Sequence, residues 1–130
     1  PALATRGGEL VSVFGTMGGD AQPQILLQIA ARLFRHGHSP AAAINAPRWA
    51  LAGPLTGFDT WTAPDGPNVE IEGHAPDAWT ADLAGRGHRT SGLPAFDSGF
   101  GHAHAIVLDE QGVLAGAADP RARVSSVAAR

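Results

Sequence analysis

Cysteine is missing from these 130 residues, and so are lysine and tyrosine. Without cysteine there is neither a disulfide framework nor a thiolate metal site. All nine basic residues are arginine, which reads as compositional bias rather than function. No hydrophobic run approaches the length needed to cross a membrane, and the opening PALATRGGEL has no signal-peptide pattern. A net charge of −3 gives no reason to expect a nucleic-acid partner. Large apolar side chains are also sparse. Alanine supplies 25 of the 57 hydrophobic residues, and Leu, Ile, Val and Phe together number 28, barely above the share typical of disordered chains. Alanine buries little area, so the core is expected to be thin. With 17 glycines and 10 prolines adding loop positions, the chain is expected to form one domain, residues 1–130, that packs its apolar faces against other polypeptide.

What is present has a readable order. Val11, Val13 and Phe14 lie in a β-prone run, ELVSVF. Pro23 then opens a helix to His36, with Ile25, Leu26, Ile29, Ala30, Leu33 and Phe34 forming an apolar stripe. Arg32, Arg35 and His36 suit its C-terminal end, and Gly37 suits a left-handed cap. Ser39 and Pro40 start a short helix, AAAINA, that Pro47 ends, and RWALA returns as a strand. Residues 53–67 read as a loop, NVEIE as a strand, and DAWTADLAGR as a helix that shows Trp79 and Leu83 on one face and is capped by Gly87. The end reads as a hairpin, HAHAIVLDE and VLAGAAD, turning at Gln111-Gly112. The order β-α-α-β-β-α-β-β lacks strict βαβ alternation and favours a layered α+β arrangement.

Between the first strand and the first helix sit Gly18 and Gly19. A tight turn is one use for them, since glycine reaches positive φ without a Cβ clash. An anion cradle is the other: consecutive N–H groups near a helix N-terminus can converge on an oxyanion. Spacing alone favours the turn. Neither a Walker loop nor a dinucleotide fingerprint fits, because no Gly-Lys-Ser/Thr follows and the G-x-G-x-x-G spacing is absent.

Taken in order, GTMGGDAQPQILLQ, AINAPRWAL, VEIEG and GHAHAIVLDEQGVLAGAADPR resemble the C-terminal part of the small subunit of gamma-glutamyltranspeptidases and their acylase-like relatives. The resemblance spans about Gly15 to Arg121. It implies an N-terminal nucleophile hydrolase with an α-β-β-α sandwich, in which a processed N-terminal threonine is both nucleophile and, through its α-amine, base. It also implies that Gly18 and Gly19 supply oxyanion-hole N–H groups, which shifts the reading of the pair from turn to catalytic element. The nucleophile and the residues that hold the substrate's charged ends lie upstream in the family. Thr5, Thr16, Thr56, Thr60, Thr62, Thr80 and Thr90 all lack the nucleophile's context. The expected partners are the rest of the small subunit and a large subunit, in a heterodimer cut from one precursor. The expected substrate is a small amide or peptide, and no cofactor is expected. Residues 1–130 alone are expected to be inactive; the alternative is a structural fragment or subunit with no catalytic part. Asp20 stands where serine is common in the well-studied transpeptidases, so the GTMGGDAQPQ form is closer to acylase and amidohydrolase relatives than to a glutathione enzyme. Asp20 either caps the following helix, the preferred reading, or approaches the substrate. After ADPR the family usually continues in a glycine-rich stretch, whereas ARVSSVAAR follows here.

Other candidates carry less. His102-x-His104 and His36-x-His38 are possible metal pairs, but no carboxylate spacing completes a ligand set. Hydrogen-bonded histidines facing a cleft are the plainer reading of the first pair. Asp97 and Ser98 are placed to position that strand, and Asp119 and Arg121 to form a structural ion pair. A catalytic Pro1 amine has little support, because ALATRGG does not read as a buried strand.

Overall fold

The computed structural model describes residues 1–52 and 66–128, so the expected loop over 53–67 lies almost wholly outside the described residues. Seven strands and three helices are described: β1 (Ala2–Arg6), β2 (Glu9–Met17), α1 (Gln22–Ala30), α2 (Pro40–Asn45), β3 (Trp49–Ala52), β4 (Asn68–Glu72), α3 (Asp77–Gly85), β5 (Arg89–Leu93), β6 (His102–Leu108) and β7 (Leu114–Ala118). One sheet is antiparallel, in the order β1-β2-β6-β7; the other has the order β3-β4-β5, with β4 and β5 parallel. The mixed α+β character expected from the sequence is present.

Two elements correct the sequence reading. ALATR is a strand after all, paired along β2 from Ala2 opposite Phe14 to Arg6 opposite Glu9. It is an edge strand with a bulge between Ala4 and Thr5, and its alanines add too little apolar area to show an alternation. RTSGL forms β5, a polar edge held by parallel pairing with β4. Edge strands need not be hydrophobic on either face, which is why composition hides them.

The core forms where α1 and α2 cover one face of the four-stranded sheet. Ile25 and Ile29 from α1 and Leu33 from the turn that continues it descend onto Phe14, Ala103, Ala105 and Ala117, with Ala43 and Ile44 from α2 beside them. Register explains the choice of residues: Phe14 pairs with Ala105 and Ala105 with Ala117, so these side chains share one face. Ser39 caps α2 by accepting from the Ala42 N–H at 3.2 Å, and Pro40 takes the first turn, as expected. After Ala30 the helix widens into a π-type turn over Ala31–Arg35 and stops at Gly37, whose φ is +66°.

A polar stripe along α1 and the π-type turn after it ties in the second sheet. Gln28 donates to the Trp49 carbonyl at 2.8 Å and accepts from the Trp49 N–H at 3.1 Å; Gln24 accepts from the Leu51 N–H at 2.8 Å. Arg32 donates to the Pro47 carbonyl at 2.6 Å. Gln24, Gln28 and Arg32 recur every four residues, so one helix face satisfies the free edge of β3 as a neighbouring strand would.

Among the described residues the opposite face of the four-stranded sheet is largely uncovered. Leu3 (70 % exposed), Met17 (59 %) and Leu114 (58 %) lie there with Val13 and Ile106, also exposed. The C-terminal segment touches its rim: a Cβ on Gly116 would stand 2.8 Å from Val127 Cγ2, and Ser125 Oγ donates to the Asp119 carbonyl at 2.6 Å. Among the described residues no helix is long and apolar enough to cross a membrane.

Candidate active site

β2 ends at Met17, and the chain turns through Gly18 and Gly19 into a short 3-10 turn, Gly19–Ala21, that runs directly into α1. The two glycines are constrained in different ways. Gly19 has φ +52°, a left-handed conformation that costs other residues roughly 1–2 kcal/mol. Gly18 has φ 161°, open to any residue, but is closely packed: a Cβ there would stand 3.1 Å from Ile25 Cδ1 and 3.4 Å from Gly101 Cα. The turn closes through carbonyl oxygens, Gly18 accepting from the Ala21 N–H at 3.0 Å and Gly19 from the Gln22 N–H. Gly19 and Asp20 are exposed, and nothing lies within 4 Å of where a Gly19 Cβ would be.

Asp20 does not cap. The residue before α1 is Ala21, and neither the 3-10 turn nor α1 has a side-chain cap bond. Asp20 instead lies inside the 3-10 turn, in its first turn, where a negative charge suits the helix N-terminus without a cap bond. Pro23 falls in the first helical turn, as expected.

His102 and His104 share one face of β6, opposite Met17 and Gly15 of β2. They line a cavity of about 390 Å³ on the open sheet face, together with Pro1 and Met17. They face a cleft, as expected, but are not hydrogen-bonded: among the described residues neither ring has a partner, and His102 Nε2 is buried without one. Two residues of spacing put both rings on one face without bringing an acceptor, since the strands opposite carry Gly15 and Met17 there. The His36 and His38 rings are 6.1 Å apart, and no group of three metal-ligating side chains forms among the described residues. Pro1 packs on Gly15, where a Cβ would stand 3.2 Å from Pro1 Cα. A larger cavity, about 820 Å³, opens at the other end of β2 and β6, lined by Glu9, Leu10, Phe34, Leu108 and Asp109, away from the glycine turn.

Behind the glycine turn lies a buried ionic cluster. Asp119 and Arg121 pair at 3.0 Å, as expected. Sequence reasoning missed the other two members. Arg48 meets Asp119 at 2.7 Å, and Glu72 meets Arg121 through both carboxylate oxygens. All four side chains are fully buried, and two positive charges balance two negative ones. Backbone groups complete the cluster. Asp119 accepts from the Ala103 N–H at 2.7 Å, Glu72 from the Arg48 N–H at 2.8 Å, and Arg121 donates to the Ile44 and Ala46 carbonyls at 2.9 and 3.1 Å. Arg48 donates to the Phe100 and Gly101 carbonyls at 2.8 and 3.2 Å, and Gly101 is the residue packed against Gly18. Burial alone would raise the Asp119 pKa, but the Arg48 charge, the two backbone N–H donors and the Arg121 charge together hold it below the usual carboxylate value. Burial and then the Arg121 charge lower the Arg48 pKa. Burial also opposes the charge on Arg121, yet the Glu72 and Asp119 carboxylates outweigh it and raise that pKa. Phe96, at φ +56°, covers the cluster, stacked on His74 at 4.3 Å and lying 5.4 Å from the Arg121 guanidinium carbon. Asp97 caps the turn before β6 by accepting from the Gly99 N–H at 2.8 Å.

Comparison with known proteins places this arrangement. The family model described as Gamma-glutamyltranspeptidase matches residues 1–129. The chain is 35% identical over 121 residues to the glutathione hydrolase-like YwrD proenzyme of Bacillus subtilis (strain 168), covering 93% of this chain and 22% of that protein. It is 36% identical over 121 residues to the oxamate amidohydrolase proenzyme of Klebsiella pneumoniae, again covering 93% of this chain and 22% of that protein. Among solved structures, cephalosporin acylase from Bacillus halodurans superposes with a TM-score of 0.73 at 31% identity, over 90% of this chain and 20% of that one. The chain thus spans about a fifth of the length of the curated relatives it matches.

Proposed function

Because the chain belongs to the gamma-glutamyltranspeptidase family, we propose that it is the oxyanion-binding part of an amidase that works through an acyl-enzyme, with its nucleophilic threonine on a preceding segment of the same precursor. The observation that carries this reading is the Gly18–Gly19 turn: two residues without side chains, open to solvent at Gly19 and leading into the N-terminus of α1. Attack of a hydroxyl on an amide carbonyl leaves negative charge on the carbonyl oxygen. The Gly18 and Gly19 N–H groups and the positive end of α1 stabilise that charge as it forms. The amine then leaves with a proton, and water or a second amine takes the acyl group. The substrate is a γ-glutamyl amide or a related small amide, and Asp20, exposed at the same turn, is positioned to meet its polar end.

The rest of the precursor has a place to go. The exposed face bearing Leu3, Val13, Met17, Ile106 and Leu114 is the surface on which the second sheet of an α-β-β-α sandwich would pack, supplied by the missing part of the small subunit with the large subunit around it. Both curated relatives are named proenzymes, in keeping with one precursor that yields the parts.

The test uses the whole processed precursor and a panel of glutathione, oxamate and γ-glutamyl p-nitroanilide. Turnover of at least one amide is expected, and none from residues 1–130 alone. Replacing Gly19 by glycolic acid, an ester link without an N–H, is expected to lower kcat about 10²–10³-fold with little change in KM. A wild-type precursor inactive on the whole panel, or an unchanged kcat in the ester variant, overturns the reading.

A further inference from the structure

Gly101 precedes β6 with φ +78° and ψ 169°. A Cβ there would stand 2.2 Å from the Met17 carbonyl oxygen, 2.7 Å from Thr16 Oγ1 and 3.0 Å from Ile25 Cδ1. The first distance is to backbone, which no side-chain rotation relieves, so the end of β2 can pass Gly101 only because Gly101 has no side chain. Gly101 is itself held from two sides. Its N–H donates to the Ser98 carbonyl at 3.1 Å, and its carbonyl accepts from Arg48 at 3.2 Å.

The same methyl group, Ile25 Cδ1, lies 3.1 Å from the Cβ position of Gly18 and 3.0 Å from that of Gly101. Ile25 is fully buried and sits in the first turn of α1, four residues from Gly18's hydrogen-bonded partner Ala21. Backbone at Gly101, just before β6, and one methyl from α1 thus bracket the glycine turn from behind, while its front at Gly19 is open. We propose that Gly101 and Ile25 are positioning residues that fix where the Gly18 and Gly19 N–H groups point. This rests on the oxyanion reading above. A donor pair formed by a turn has no side chain to steer it, so its aim depends on what the turn leans against. A displacement of about 1 Å is enough to cost on the order of a hundredfold in rate.

The deciding comparison is Ile25→Val against Ile29→Val in the processed enzyme, with kinetics on the fastest amide of the panel. Both residues are fully buried on the same helix and both lose the Cδ1 methyl, so the loss of melting temperature is matched. Ile25→Val is expected to lower kcat about fivefold to tenfold with KM within about twofold, and Ile29→Val to leave both within about twofold, since only the former relaxes a donor that acts at the transition state. Gly101→Ala is expected to lower kcat about a hundredfold; if that variant fails to fold, the isoleucine pair decides. Equal kcat for the two isoleucine variants, or a folded Gly101→Ala enzyme with unchanged kcat, overturns the proposal. Loss of rate in the Gly19 ester variant beside equal isoleucine variants removes this inference alone, whereas an unaffected ester variant removes the oxyanion reading with it.

Discussion

Asp119 is where single-residue energetics are sharpest. Its carboxylate faces Arg48 on one oxygen and Arg121 on the other, all three fully buried. Asp119→Asn leaves two buried guanidiniums facing one remaining carboxylate, Glu72, and is expected to destabilise the fold by about 3–5 kcal/mol in denaturant titrations. The pH dependence follows from the lowered pKa. Because the folded-state pKa lies below the unfolded value, near 4, the Asp119 contribution is fully present above that value and is lost as pH falls from there through the folded pKa. Acid denaturation monitored by circular dichroism should show a falling stability below about pH 4, and Asp119→Asn should flatten that limb. Asp119 and Arg121 were legible as a pair because they sit two residues apart. Arg48 and Glu72 were not, since nothing local marks an arginine at the start of one strand as the partner of an aspartate 71 residues later. Asp20 was misjudged because cap propensity does not reveal that a 3-10 turn intervenes and hands the helix start to Ala21.

At the level of elements, reading succeeded where the signal was local. NVEIE is β4 without adjustment, and Ser39 caps α2 as its side chain and the following proline require. Ser39→Ala should therefore cost about 1 kcal/mol, read as a lower melting temperature with no change in kcat. β1 and β5 escaped notice because each is stabilised by a neighbour rather than by its own pattern. The Gln24, Gln28, Arg32 stripe went unread in the sequence. Its purpose, closing the edge of β3, emerges only when the strand is placed beside it. For the candidate site, the glycine pair was visible as sequence, and its steric support was not: Gly101 is 83 residues from Gly18, and glycines that accommodate a passing backbone look like any other loop glycine.

For the whole molecule, the thin alanine-rich core and the uncovered sheet face belong together. The sequence's shortage of large apolar residues is not relieved inside the chain, and several of those it has point outward. Residues 1–130 produced alone are expected to self-associate and to bind a hydrophobic dye. The pair Val13→Lys and Ile106→Lys, side by side across β2 and β6, is expected to yield a monomer by sedimentation while preventing assembly with the rest of the proposed precursor. A double variant that still assembles with the rest of that precursor would show that this face is not the one covered.

The ionic cluster also carries a timing constraint. Arg121 reaches back 49 residues to Glu72 and 77 to the Ile44 carbonyl, and Asp119 lies almost as late in the chain. During synthesis the segments that hold Arg48 and Glu72 leave the ribosome before the Asp119 and Arg121 side chains that complete their pairing. A nascent chain interrupted before Asp119 therefore keeps an unsealed interior within reach of proteases, so that synthesis of residues 119–121 is itself the step that makes this polypeptide durable.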